Sequence, residues 1–331
     1  MKRKKTIKIG LFIVLTLYLT ACQQQEPAIE KYQHTAVGTL DAVISDDAKY
    51  AIISSVNHGV GYWDLTANER LFDWKHSDNP EDGIIATDLS ADASRAITAD
   101  RQNFTIWNTT SGKSYGYWRA PARIRAVAIS KTGRYVLLGL EDGRAIHIDM
   151  NTGRRLEFTG HREEAVASVD LSANGLWAFT GGADYRAILW NTKTGKPKHL
   201  FEHKTRVVKL RLSASGRQAF TAGTLGNAHI WDLTSGAKIT SLALGKREYV
   251  ITSARFSHDD QWLATGAPGK DISLWDASNG ERLLQRTART RNQWKPSGAI
   301  IYALAFTLND SYLFSESSAG YGEKWQLPDK N

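Results

Sequence analysis

From about residue 39 onward the chain alternates short apolar runs with polar punctuation. Val166-Ala167-Ser168-Val169-Asp170-Leu171-Ser172 passes through Ala173-Asn174-Gly175 into Leu176-Trp177-Ala178-Phe179-Thr180. Runs of this kind, rich in β-branched and aromatic residues and broken by Gly, Asp, Asn or Ser, predict antiparallel strands joined by tight turns. The same strand–turn–strand order returns at 126–138, 208–221, 253–265 and 304–315. No long stretch carries helical periodicity, so an all-β fold is expected.

A second pattern sets the period. An apolar residue, an aromatic or apolar residue, then Asp or Asn appear at Tyr62-Trp63-Asp64, Ile106-Trp107-Asn108, His147-Ile148-Asp149 and Leu189-Trp190-Asn191. They return at Ile230-Trp231-Asp232, Leu274-Trp275-Asp276 and, weakly, Lys324-Trp325-Gln326. The central residues lie 44, 41, 42, 41, 44 and 50 positions apart. Each copy leads into a polar turn such as Thr109-Thr110-Ser111-Gly112, where Gly supplies a positive φ and Asx or Thr side chains bond the local backbone. About four strands per period make one blade of a propeller, and seven copies make one seven-bladed ring. Only six residues follow Trp325, too few for a fourth strand. Lys31 to Leu40 has strand character and is expected to supply the outer strand of the seventh blade, covering an edge that would otherwise be open.

On these residues the chain resembles the WD-repeat family over roughly residues 33–327. The resemblance implies a hydrogen-bonded set in the fourth repeat: His161 from the loop entering the blade, Thr180 on the second strand, Asp184 in the next turn, and Trp190. Other repeats match in part: His76 and Trp107 in the second, His203, Thr221 and Trp231 in the fifth, Thr265 and Trp275 in the sixth. Leu225, Gly269 and Ala319 stand where the turn Asp would be, and the third repeat has Asp142 but Ile148 in place of Trp. The family's usual role implies a protein-interaction platform.

Composition changes the picture mainly at the N-terminus. With 42% apolar residues and 33 aromatics the chain is not disordered, and a single cysteine excludes a disulfide scaffold. The net charge of +8 includes Lys2, Arg3, Lys4, Lys5 and Lys8, so a chain without them carries an ordinary +3. The uncharged run from Ile9 to Ala21 is shorter than the roughly 20 residues of a membrane-spanning helix and ends in small residues, as a signal peptide does. Leu19-Thr20-Ala21-Cys22 resembles the bacterial lipobox, which implies lipidation of Cys22. The alternative is an uncleaved anchor with an incidental cysteine. The expected organisation is a signal peptide at 1–21, a lipidated Cys22 and tether at 22–30, and one propeller at 31–331. Gln23 after the cysteine resembles lipoproteins sent to the outer membrane, on its periplasmic side; a source without that membrane would hold the anchor on the inner one.

Candidate chemistry is sparse. His199 and His203 have the spacing of a metalloprotease pair, but that spacing converges only on a helix, and this segment reads as strand and loop. Asp46-Asp47, Asp259-Asp260 and Asn309-Asp310 fall at one hairpin position in their repeats, which turn chemistry explains. No metal, cofactor or nucleophile–base pair is expected. The competing reading is a cofactor-binding enzyme: Asn108 to Lys113 followed by Trp118, with Trp74 a weaker counterpart, is similar to quinoprotein propellers. The platform reading places its working surface on the loops that enter the blades. These carry Arg119, Arg123 and Arg125, then Lys204 and Arg206, then Lys246 and Arg247, and finally Arg286, Arg289, Arg291, Trp294 and Lys295 in the longest loop. Such a face suits an acidic protein partner in the cell envelope, or an anionic glycan or lipid headgroup, with Trp294 as aromatic anchor. No nucleic-acid partner and a monomeric ring are expected.

Overall fold

The computed structural model describes residues 26–55, 59–76, 83–245, 249–291 and 298–330. Residues 1–21 and Cys22 lie outside them. Twenty-eight strands follow one another, with no helix among the described residues. After β1 (Glu30–Gln33) the first blade holds β2 (Thr39–Ile44), β3 (Tyr50–Ser55), β4 (Gly59–Asp64) and β5 (Glu69–Trp74). The second holds β6 (Ala86–Leu89), β7 (Arg95–Ala99), β8 (Asn103–Asn108) and β9 (Ser114–Arg119). The third holds β10 (Ile124–Ile129), β11 (Tyr135–Leu140), β12 (Ala145–Asp149) and β13 (Arg155–Phe158). In the fourth are β14 (Val166–Leu171), β15 (Trp177–Gly182), β16 (Arg186–Asn191) and β17 (Pro197–Glu202). In the fifth are β18 (Val207–Leu212), β19 (Gln218–Gly223), β20 (Ala228–Asp232) and β21 (Lys238–Ser241). The sixth takes β22 (Ser253–Phe256), β23 (Trp262–Gly266), β24 (Asp271–Asp276) and β25 (Arg282–Thr287), and the last β26 (Ile301–Phe306), β27 (Tyr312–Ser317) and β28 (Tyr321–Gln326).

Seven four-stranded antiparallel sheets result, each in chain order except the last, which runs β1-β28-β27-β26. First strands of successive blades touch around the whole circle, β26 meeting β2, so this is a seven-bladed β-propeller. Because every turn reverses direction, the loops entering a blade and the hairpins between its second and third strands share one face. The remaining turns share the other.

The closing strand is shorter than the expected Lys31 to Leu40. Only Glu30–Gln33 pairs with β28, and Thr39 and Leu40 already belong to the first blade's inner strand. The ladder stops where the N–H groups of His34 and Thr35 both turn to the carbonyl of Gly320. Gly38, at φ 110°, then redirects the chain inward through a conformation that L side chains rarely adopt.

Packing follows the strand period. In β3, Ala51 and Ile53 join a cluster shared with the seventh blade, whereas Ile52 faces the second. The described residues form seven such clusters, one between each pair of neighbouring blades. Middle strands are therefore buried on both faces, which is why they read as unbroken apolar runs. Carboxylates cross between inner strands as well. Asp41 Oδ2 accepts from Thr87 N at 2.7 Å, Asp88 Oδ2 from Ile129 N at 2.8 Å, and Asp170 Oδ2 from Leu212 N at 2.7 Å. Each meets a backbone donor of the next blade.

The paired acids divide their labour. Asp47 and Asp259 accept from Ser45 and Ser257 within their own turns, both at 2.7 Å, as turn chemistry requires. Their neighbours reach out: Asp46 meets Arg255, Asp260 meets Ser215, and Asp310 meets His258 and Lys330, while Asp259 also takes Lys330 with its second oxygen. Turn geometry alone does not account for this second set.

Candidate binding face

The loops of the first face are held by histidines. In the fourth blade His161 Nδ1 lies 2.9 Å from Asp184 Oδ1, His161 Nε2 lies 2.7 Å from Thr180 Oγ1, and Trp190 Nε1 donates to that same hydroxyl at 2.8 Å. The structure thus brings His161, Thr180, Asp184 and Trp190 together. The second blade holds an equally complete set. His76 contacts Thr98 Oγ1 at 2.7 Å and Asp100 Oδ2 at 3.1 Å, and Trp107 donates to Thr98 at 2.7 Å. Sequence reading found only His76 and Trp107 there, because Thr98 precedes its Trp by nine residues instead of ten and the acid follows Thr98 by two instead of four. Burial pushes the Asp100 carboxyl up, but bonds from His76 and the Gln102 and Asn103 amides outweigh it and hold it at about 2.

The fifth blade has no carboxylate in its turn. His203 reaches Thr221 at 2.8 Å, its Nδ1 has no partner among the described residues, and burial with nearby His229 pushes it down to about 4. The sixth and seventh keep only Trp275 to Thr265 and Trp325 to Ser315, at 2.8 and 2.9 Å. In the first blade Ile53 replaces the hydroxyl residue, and buried His34 pairs instead with buried Glu316 of the seventh blade, across the closure. His199 and His203 do not converge on a shared site: His199 Nε2–H donates to the Leu233 carbonyl at 3.0 Å, and His203 Nε2 meets Thr221. Among the described residues no group of three or more His, Cys, Asp or Glu could hold a metal ion. Trp74 stacks on Trp107 and Trp118 on Phe104, so both aromatics pack within the propeller.

The expected cations do not act alike. Arg119 closes β9 and donates to Gln102 at 3.2 Å, and Arg123 lies 3.9 Å from exposed Glu141. Arg286 is not in the long loop: it belongs to β25, with its side chain 11% exposed and ion-paired to Glu26 at 2.6 Å. The Arg289 guanidinium covers the Tyr321 ring at 5.1 Å, and Arg291 donates to the Ala319 carbonyl at 2.9 Å. Lys246, Arg247, Trp294 and Lys295 lie outside the described residues. Lys204 and Arg206 are exposed and make no ion pair among the described residues; Arg125 is likewise unpaired and lines the central channel.

Around Lys204 and Arg206 stand residues that sequence reading missed. Tyr185, Leu225 and Tyr249 are 49%, 69% and 40% exposed. Backbone bonds join their loops: His203 N to Tyr185 O, Thr224 N to Arg206 O, and Gly226 N to Tyr249 O. They form one stripe across the fourth, fifth and sixth blades. Tyr185 and Leu225 hold φ of 69° and 60°, in a hairpin where the third and seventh blades use Gly143 and Gly320. A large residue where glycine fits better was the signal available in the sequence.

Residues 154–191 and 238–276 match the family described as WD domain, G-beta repeat. The chain carries WD40 repeats. Each matched stretch runs from the outer strand of one blade to the third strand of the next, so each of these two repeats ties two blades together. The chain is 27% identical over 158 residues to autophagy-related protein 16 of Arabidopsis thaliana, covering 47% of this chain and 30% of that protein. It is 31% identical over 143 residues to eukaryotic translation initiation factor 3 subunit I of Emericella nidulans, covering 40% of this chain and 42% of the other. It therefore spans less than half the length of either relative. A solved chain from the crystal structure of the mitotic checkpoint complex superposes with a TM-score of 0.76 over 99% of this chain and 100% of its own, at 14% identity. That likeness is one of fold. A WD40 propeller is consistent with a protein-interaction scaffold.

Proposed function

We propose that this chain is a non-catalytic scaffold whose first face binds an acidic protein surface, and that lipid on Cys22 tethers it to the periplasmic side of a bacterial outer membrane. The stripe of Tyr185, Lys204, Arg206, Leu225 and Tyr249 carries the binding half of this reading. Unpaired cations beside exposed aromatic and aliphatic side chains match the anchor chemistry of protein interfaces, in which apolar groups desolvate and cations select the partner's charge. A left-handed backbone costs an L residue about 1–2 kcal/mol, and Tyr185 returns little of it by burial. Strain kept at an exposed position supports a role outside folding. One relative's name, a subunit of an initiation factor, places that protein in an assembly. The tether rests on Leu19-Thr20-Ala21-Cys22.

Crosslinking and capture from intact membranes tests both halves. Replacing Tyr185 and Leu225 by Gly with Lys204 and Arg206 by Ala is expected to lower partner recovery at least tenfold. A control on the opposite face, Asp47→Ala with Lys49→Ala, keeps the partner. The reverse pattern refutes the assigned face. Cys22→Ser should leave an uncleaved precursor or release soluble protein; a variant that matures and still fractionates with lipid refutes the anchor.

A further inference from the structure

We infer that the central channel is a binding site for a small aliphatic monocarboxylate, held between Lys209 and Arg125. The channel has a free volume of about 370 Å³ and is lined by all seven inner strands. This lies at the lower end of the range of small-ligand pockets, about 300–1,000 Å³. Five of those strands bulge by one residue near the first face, and the extra residues are Leu40, Arg125, Ala167, Val208 and Tyr302. All five line the channel. A bulge re-aims a side chain, and here it gives an apolar collar with one guanidinium.

Below the collar the charges are unequally engaged. The lining includes four cations, Arg125, Lys209, Arg211 and Arg255, against two carboxylates, Asp41 and Asp88. Both carboxylates already serve the ring, Asp41 accepting from the Thr87 amide and hydroxyl and Asp88 from the Ile129 amide. Arg211 lies 3.6 Å from Asp170, and Arg255 meets Asp46. Lys209 and Arg125 make no hydrogen bond or ion pair with any described residue, although the fields of Asp41, Asp170 and Asp88 reach Lys209 and that of Arg211 opposes them. An ammonium offers three donors and a guanidinium five; Lys209 is desolvated, Arg125 stays exposed, and an anionic head group supplies the acceptors that both lack. Asp41 and Asp88 share the lining with these cations and repel a doubly charged head more than a singly charged one, which favours a monoanion. Leu40, Val208 and Tyr302 suit a short hydrocarbon stem. This site stands apart from the stripe on the first face, so either can fail without the other.

Isothermal titration of the full chain at fixed ionic strength tests it, with pentanoate, inorganic phosphate, and Gly-Gly-Val bearing a free or an amidated C-terminus. One-site saturable binding of pentanoate or the free-acid tripeptide is expected, at least tenfold tighter than phosphate or the amide. Preference for pentanoate points to a free metabolite, and preference for the tripeptide to a chain terminus. Lys209→Met and Arg125→Ala should each weaken binding at least tenfold. Arg125 is exposed, so its variant reports on the site even where Lys209→Met disturbs folding. Absence of saturable carboxylate binding, phosphate binding as tight, or unchanged affinity in Arg125→Ala overturns the assignment.

Discussion

Thr180 Oγ1 serves two side chains, His161 and Trp190, besides a long 3.4 Å contact to the Ile188 carbonyl. If Asp184 accepts from His161 Nδ1–H, a neutral imidazole must accept at Nε2, so the Thr180 hydroxyl donates there and itself accepts from Trp190. Thr180→Val keeps the shape and strands both partners in a fully buried place. Each buried group left without its bond costs roughly 1–3 kcal/mol. Urea unfolding should show a loss of about 2–4 kcal/mol for Thr180→Val and about 1–2 kcal/mol for Thr265→Val, whose hydroxyl serves Trp275 and no imidazole. Equal losses would mean that the histidine adds nothing. The fourth blade's set was legible because it keeps the full spacing. The second blade's set was not, since a hairpin one residue shorter moves Asp100 out of register while the same side chains still converge.

Strands were legible and their ends were not. Period and turn residues place every blade, because a strand buried on both faces has to be apolar throughout and a reversal has to break that run. Bulges left no mark: Arg125 and Ala167 occupy the same place with opposite character. The bridging acids of the inner strands were also silent, since a lone Asp within an apolar run does not reveal that a backbone donor waits on the next blade. Asp88 shows what such a bridge costs. Burial is the main cause that lifts its carboxyl from 3.8 to about 6, with Asp170 adding and Arg211 opposing. Its folded pKa exceeds the unfolded one, so the folded chain holds this proton more tightly. The group's contribution to stability is therefore greatest in acid and declines as pH rises from about 4 through about 6. Asp88→Asn keeps an acceptor for Ile129 and removes the charge. The variant should gain up to about 3 kcal/mol over the parent at pH 7.5 relative to pH 4. Thermal unfolding at both pH values checks the sign, and a gain confined to pH 4 contradicts it.

The ring as a whole depends on its least local pairing. Glu30–Gln33 lies beside Tyr321–Gln326, nearly the full length of the chain away, and Ala28 packs into the same cluster as Trp325. Deleting residues 26–33 bares the edge of β28 and removes His34's neighbouring support for Glu316. The thermal midpoint should fall by several degrees and a larger species should appear on size exclusion; a monomer with an unchanged midpoint would show closure by another route. The same geometry has a consequence for how the molecule is made. Of the strands of this ring, the first in chain order is the last to find its place, and until β28 exists its amides and carbonyls are unspent. Nothing in the ladder distinguishes its own β28 from that of a neighbouring copy. During crowded refolding two chains can exchange their first strands, and the product would be a dimer in which each propeller is completed by the other's beginning.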